Sequence, residues 1–545
     1  MKKYILIFYL SFLFSITYGQ ISQGGFPLSF QKPMDLDEID TKILKEINSD
    51  KINKYEKNNK KGKLLIGINI PTNFNTENSG TWSFLENGDK IWRLKIISKN
   101  AKAISLYYDD FYLPDGSKLF LYNEEKTSLI GAFTISNNKD EKRFATIETI
   151  GEVTILEYFE PVNTNKKARI SISEVCHQYK FLKSGDCQVN INCSEGNEWQ
   201  EQKRSVLKII YPNGEGTYLA TGVLVNNEKQ NYIPYFLTAA HNFILDNGNF
   251  MGHEYYSQIK FYFNYEAKNC YGSFSSENQT TVGAALRAYS EEDNGGDFGS
   301  DLMLIELTCG LIPQNYNPYF SAWETRGNLQ NEFAVCIHHP SGDVKKISRA
   351  ENIISESFLN GDNTHWKVDW VETINGFGRT EGGSSGSPLF NQDKRIIGTL
   401  TGGPAYCDGP INDYFGKFSY DWELNGEETH EKLKTFLDPD NTGIQFIDGI
   451  NYWEGDYVKN IYIDEIKIFP NPARDNIQID IKKYKNENNL QISIYSVCGN
   501  IIKNYNIIDN KKKIKINLKN FKKGFYFVVL KNDKKVFAKN KLIIY

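Results

Sequence analysis

Three short stretches of this chain carry residue types that together could cleave an amide through an acyl intermediate. A serine hydroxyl becomes a useful nucleophile when a base removes its proton, a carboxylate holds the base in one tautomer, and backbone N–H groups meet the developing oxyanion. In "GGSSGSP" (residues 382–388) Ser385 stands in a Gly-rich turn before the strand-like "PLF". Only small residues there let the backbone approach a carbonyl, and the N–H groups of Gly383 and Ser385 can converge on one point. "YFLTAAHN" places His241 just past a buried, strand-like run, and "GSDLMLIEL" places Asp301 at the start of another. From that edge Asp301 can receive the His241 Nδ1–H. Each piece alone has a plain structural reading, as a loop, a packed histidine and a turn residue. The order His, Asp, Ser within one region is what makes the set specific.

Other chemistry has less support. His338 and His339 are adjacent, so on a strand they point to opposite faces and cannot chelate one metal together. The acidic run at 291–301 is rich in oxygen ligands but lacks the spacing of an EF-hand. No phosphate-binding glycine motif and no Cys/His zinc spacing is present, so neither cofactor nor metal is expected.

These residues need elements to hold them. The chain has 545 residues, 40% hydrophobic and 14% aromatic, which is ample for packed cores and excludes a mostly disordered or collagen-like protein. At roughly 150 residues per domain it allows about three or four domains. The net charge of −4 gives no reason to expect a nucleic-acid partner. That small total hides two parts: from residue 461 onward 18 basic residues stand against 7 acidic ones, a net +11, leaving −15 for the rest.

Residues 1–19, with Lys2 and Lys3 before an apolar run and Gly19 at its end, follow the plan of a secretory signal peptide. Residues 20 to about 60 read as a helix or loose linker. From Trp82 to about Pro161, apolar runs such as "IWRLKIIS" and "EVTILEYFEP" alternate with turn signals and predict a small antiparallel β-domain. From about 184 to 452, many short strands joined by Gly-rich loops predict a sandwich or a pair of barrels. A helix is expected only near 426–439. The last 85 residues return to strand alternation.

With "TGVLVNN…YFLTAAH", "SDLMLIEL", "IHHPSGDVKKIS", "TEGGSSGSP", "LTGGPAYC" and "NDYFGKF" in view, the middle region resembles the chymotrypsin-fold serine endopeptidases, and among them the bacterial lysyl endopeptidases. The resemblance covers roughly half the chain. It implies an all-β protein: a double β-barrel protease domain at 184–452, preceded by a β-rich propeptide at 20–183. His241 would be general base and then acid, Asp301 its orienter and Ser385 the nucleophile, acting on protein or peptide substrates as a monomer. Asp413 would sit at the base of a pocket for Lys, with Arg as the second candidate, and Gly402 and Gly403 would form its open wall. Two departures stand out. The family's cleft histidine is replaced by Thr401, and no Trp lies between Ile347 and Thr364 to supply its partner. Ser384 also stands where trypsin has the Asp that captures its new N-terminus, so activation through that residue is excluded.

The same resemblance implies disulfides Cys187–Cys407 and Cys193–Cys270. Ala220 and Asn242 occupy the positions of a further family bridge, Cys309 and Cys336 are left as a pair, and Cys176 and Cys498 remain unassigned. Cleavage after Lys183 would make Ser184 the new N-terminus, which suits self-processing by a lysine-specific enzyme. The tail, with "IKIFPNPARDNIQIDI" and Gly524 before an aromatic strand, resembles the C-terminal sorting domain of proteins exported by the Bacteroidetes type IX machinery. Residues 453–545 are therefore read as a linker and small β-sandwich address tag. The implied route is Sec, then the outer membrane, ending in release or surface attachment. The rival reading is a surface-displayed binding protein built on an inactive protease fold.

Overall fold

In the computed structural model, residues 22–452 and 464–545 are described, apart from 32–36, 59–62, 182, 215, 246, 274, 276–278, 291–297, 311, 328–330, 485–489, 497–500, 508–512 and 533–535. The signal-like segment 1–19, most of the acidic run at 291–301 and Cys498 lie outside the described residues. Two compact units divide the chain, Met1–Tyr452 and Trp453–Tyr545.

The clearest barrel in the first unit is a closed ring. Strands Pro388–Asn391, Ala334–His338, Lys346–Phe358, Gly361–Trp370, Asn412–Lys417 and Ile396–Gly402 pair antiparallel in that order, and the last pairs back onto the first. Closure removes every free edge. The other barrel is built on Val206–Pro212, Thr217–Leu224, Tyr235–Ala239 and Leu302–Leu307. Gly283 turns the chain at φ +93°, so that Gln279–Val282 pairs with Lys260–Phe263 while Ala284–Tyr289 pairs with Leu302–Leu307.

A barrel strand with one solvated face should alternate buried and exposed residues. Here Val206–Pro212 and Thr217–Leu224 are buried at every position. Their two faces belong to different cores. Leu207, Ile209, Tyr211 and Ala220 face the barrel interior, whereas Ile210, Leu219 and Tyr262 pack with Leu106, Tyr108 and Phe111 of the N-terminal region.

That region is therefore not the separate β-domain predicted for 82–161. Its strand Leu64–Asn75 adds directly to the edge of Thr217–Leu224 and continues through Arg169–Gln178 and Ala103–Tyr112, within one 12-stranded sheet. A second, six-stranded sheet includes Asp40–Ile43 paired parallel to Lys90–Ile97. Residues expected to be helix or linker thus contribute a strand, along with the helix Ser49–Asn58.

The helix expected near 426–439 is also redistributed. Its main turns are Phe418–Glu423, with a 3₁₀ turn at Thr429–Glu431 and a single α turn at Lys434–Leu437. Phe418 and Trp422 explain the placement, since Phe418 stacks on buried Trp323 and Trp422 packs against it at a tilt. The C-terminal unit holds a five-stranded and a three-stranded sheet around Ile477, Ile479, Ile492, Val528 and Leu542. Gly524 opens its strand Gly524–Lys531.

Candidate active site

The pairing of two barrel strands sets the first contact. Ala239 lies opposite Leu302, so His241, in the 3₁₀ turn Ala240–Phe243, and Asp301, one residue before its strand, arrive side by side. Asp301 is fully buried and adopts φ +64°. Its Oδ2 lies 2.6 Å from His241 Nδ1, and its Oδ1 accepts the His241 backbone N–H at 2.8 Å. The carboxylate thereby fixes both the ring and the main chain that carries it, leaving Nε2 as the outward nitrogen.

Ser385 reaches the same place from the closed barrel. Its carbonyl accepts the Thr221 N–H at 3.0 Å, while Thr221 Oγ1 donates to the Gly383 carbonyl at 2.8 Å. Gly386, at φ +83°, lies so close to Thr238 and Ala239 that a Cβ would come within 2.1 Å of Thr238 Oγ1. The Ser385 turn is thus pressed against the strand that ends two residues before His241. Among the described residues no hydrogen bond joins Ser385 Oγ to His241 Nε2. Catalytic hydrogen bonds of this kind commonly tighten only with substrate. The Gly383 and Ser385 N–H groups have no hydrogen-bond partner among the described residues.

His338 has a role that its sequence position does not advertise. Its Nδ1 lies 2.8 Å from Ser384 Oγ and its Nε2 3.0 Å from Ser348 Oγ, and burial lowers its pKa to about 3. A neutral histidine therefore braces the residue before Ser385. His339, on the opposite face, lies 3.0 Å from the Asp343 carbonyl through Nδ1.

The pocket end is equally built. Asp413 is fully buried on Asn412–Lys417, and burial raises its pKa to about 6 despite hydrogen bonds from Thr380 Oγ1 at 2.6 Å and Trp370 Nε1 at 2.7 Å. A Cβ on Gly403 would fall 2.2 Å from Asp413 Oδ1, whereas one on Gly402 would meet nothing within 4 Å. Thr401 Oγ1 lies 3.0 Å from Nε2 of His365, a buried histidine whose pKa burial lowers to about 4. His365, Trp370 and Thr380 come from elsewhere in the sequence, and only the barrel pairing brings them to Asp413 and Thr401.

Cys187–Cys407 and Cys193–Cys270 are bonded. Cys309 and Cys336 are both free thiols, which corrects the pairing considered for them. Cys336 is buried in the closed barrel's core with Sγ 3.3 Å from Ser387 Oγ, whereas Cys309 packs against the core of the other barrel. Cys176 is likewise free and buried. No cluster of three or more metal-ligating side chains occurs among the described residues.

The N-terminal region reaches this site. Lys63 Nζ donates to the carbonyl of Ile244 at 2.8 Å, and Leu64 lies close enough to the nucleophile turn that a Cβ on Gly383 would be 3.0 Å from its Cδ2. Residues 63–64 thus touch both the segment after His241 and the turn at Gly383. Lys183 is exposed, and Ser184 beside it is buried.

Comparison with known proteins gives two domain-level matches. Residues 181–416 match the family model described as lysyl endopeptidase, C-terminal domain, and residues 467–545 match the secretion system C-terminal sorting domain. The second match marks the chain as an exported protein. Lysyl endopeptidase of Pseudomonas aeruginosa is 28% identical over 49% of this chain and 59% of its own length. An endo-acting ulvan lyase of Formosa agariphila is 31% identical over 37% of this chain and 43% of its own. Thus the matched parts span little more than half, or less, of each curated relative. Among solved structures, protease Anisep from Arthrobacter nicotinovorans aligns over 39% of this chain and 90% of its own, at 15% identity and a TM-score of 0.29.

Proposed function

We propose that this chain is the precursor of an exported serine endopeptidase that cleaves proteins after lysine, with arginine as the second candidate. The observation that carries the reading is the His241–Asp301 pair, buried at the end of one barrel and facing a glycine turn of the other that presents Ser385 with two unpartnered N–H groups. In this mechanism His241 Nε2 takes the Ser385 proton as Oγ attacks the scissile carbonyl, and Asp301 stabilises the imidazolium. The Gly383 and Ser385 N–H groups bind the oxyanion. His241 then protonates the departing amine, and water hydrolyses the acyl-enzyme by the same route.

Specificity follows from Asp413. A buried carboxylate costs much to leave unpaired, and a lysine ammonium entering past Gly402 and Gly403 supplies the missing charge. The resemblance to lysyl endopeptidase supports lysine as the preferred residue.

Residues 20–183 act as the propeptide and 453–545 as the address read by the type IX machinery. The contacts of Lys63 and Leu64 on either side of the cleft, and a family match that starts at residue 181, support cleavage after Lys183 as the maturing step. A fluorophosphonate probe should label processed protein at Ser385 and leave Ser385→Ala unlabelled. Absence of labelling in correctly processed wild type sinks the peptidase reading in favour of the inactive binding fold. Ser385→Ala should also accumulate as the unprocessed chain, and its normal maturation in isolation would refute self-cleavage.

A further inference from the structure

The residues just after Lys183 are docked in a place that matters for the nucleophile turn. Ser184 is buried, and its backbone N–H and Oγ both donate to Asp343 Oδ2, at 3.3 and 2.6 Å. The next N–H, of Gly185, donates to Glu381 Oε1 at 2.9 Å, an oxygen that also accepts Gln188 Nε2 at 2.8 Å. The disulfide Cys187–Cys407 ties the same segment down two residues later.

Both acceptors belong to the framework of Ser385. Glu381 begins the turn, with the Ser384 N–H donating to its carbonyl at 2.9 Å. Asp343 ends the 3₁₀ turn Pro340–Gly342, whose Ser341 donates its N–H to the Gly382 carbonyl at 2.7 Å and its Oγ to Glu381 Oε2 at 2.6 Å. His339, which leads into that turn, has its carbonyl 3.1 Å from where a Gly383 Cβ would stand. The cation nearest Asp343 is Lys346, with Nζ 3.4 Å from Oδ2, and Lys346 also feels Glu381. Two carboxylates therefore share that lysine beside the bond that processing would cut.

We propose that Asp343 is the receptor for the N-terminus of the processed enzyme, and that the ammonium formed there locks the nucleophile turn. The inference rests on the processing step proposed above. Hydrolysis of the Lys183–Ser184 bond adds water across it, leaving a carboxylate on Lys183 and a protonated amine on Ser184. That amine replaces a neutral N–H donor already within hydrogen-bond reach of Asp343, so a weak contact becomes a charge-assisted one without moving the chain. Trypsin-like activation is thus recovered with a partner on a neighbouring turn, although Ser384 cannot serve. Asp343 acts as a positioning residue: its N–H donates to the Pro340 carbonyl at 3.0 Å and closes the turn whose Ser341 N–H holds the Gly382 carbonyl, next to the Gly383 N–H.

The test uses the full chain, processed and checked by N-terminal sequencing, with a lysyl amide substrate. Insertion of one glycine between Lys183 and Ser184 displaces the ammonium while keeping Asp343, and Asp343→Asn removes its partner. Both should lower kcat about tenfold or more, as expected for a disturbed oxyanion site, with KM changed by less than about twofold. Ser184→Ala, which removes the Oγ hydrogen bond but keeps the ammonium, should lower kcat less than the glycine insertion does. Wild-type kcat in the glycine insertion or in processed Asp343→Asn overturns the proposal, as does a fully active wild type beginning at another residue. If Asp343→Asn fails to fold, the insertion alone decides. Processed wild type that neither turns over substrate nor takes the fluorophosphonate at Ser385 overturns the parent reading as well, which separates the two failures.

Discussion

Asp413 shows how one residue's environment sets a measurable pH dependence. Burial outweighs the Thr380 and Trp370 hydrogen bonds and raises its carboxyl to about 6, so it is neutral below that pH and charged above it. A lysine side chain needs the charged form. The ratio of kcat/KM for a lysyl substrate to that for a norleucyl one should therefore fall as pH drops through about 6, and taking the ratio cancels any pH dependence the two substrates share. A flat ratio between pH 5 and 8 would remove Asp413 from the pocket role. Asp413→Asn should abolish the preference at every pH, read by a peptide-library digest. His338 makes a second case: its ring holds Ser384 Oγ from behind, and His338→Ala should lower kcat more than it changes KM while leaving two buried hydroxyls, Ser348 and Ser384, without that partner. Equal losses in a thermal melt and in kcat across His338→Ala and His338→Gln would reduce it to a packing residue.

At the scale of elements, the strand Leu64–Asn75 decides what processing achieves. It adds to the sheet beside Thr217–Leu224, and it helps cover Ile210, Leu219 and Tyr262, which pack in the core of the N-terminal region. The buried pair between Glu148 and Lys260, 2.6 Å apart, crosses the same boundary, joined by Gln258 donating to the carbonyl of Tyr108 at 3.0 Å. Cutting after Lys183 breaks none of these. The severed propeptide should therefore co-elute with the enzyme on gel filtration at neutral pH and suppress its activity until degraded. Although burial opposes it, Lys260 and Tyr262 hold the Glu148 carboxyl below its usual range, so the pair's contribution is present above about pH 4.5 and is lost as pH falls further. Glu148→Ala leaves Lys260 buried and uncompensated, a cost of about 3–5 kcal/mol, and should release the propeptide at neutral pH. Immediate separation of the wild-type fragments would overturn this. The strand alternation of 82–161 was legible in the sequence; its union with the barrel was not, because "GKLLIGINI" reads the same whether its neighbour is its own domain or the enzyme. His241, Asp301 and Ser385 could be singled out because Gly-rich turns and strand ends leave local signatures. His365, Trp370 and Thr380 were not, since a barrel register that no local pattern encodes brings them to the pocket.

The whole molecule divides its labour by unit and by charge. The C-terminal unit encloses its own core of Ile477, Ile479, Ile492, Val528 and Leu542, and strands such as Val536–Ile544 are satisfied by Gly524–Lys531 of that unit. The six-stranded ring closes within Met1–Tyr452, and the strand pairs of the other barrel also lie there. The charge follows the same line, with a net +11 from residue 461 onward against −15 for the remainder. A basic tail suits contact with anionic surfaces or an anionic receptor, and that attraction weakens with salt because the charges are exposed. Ending the chain at Tyr452 should accordingly leave processing and kcat/KM on a lysyl peptide within about twofold of the full chain once both are purified, since distant independent parts add rather than couple. In a host with a working type IX system the same truncation should hold the enzyme in the periplasm, measured by fractionation and activity on intact cells. A large loss of activity in the truncated protein would show that the tail completes the enzyme, and surface activity without the tail would show that it is not the address.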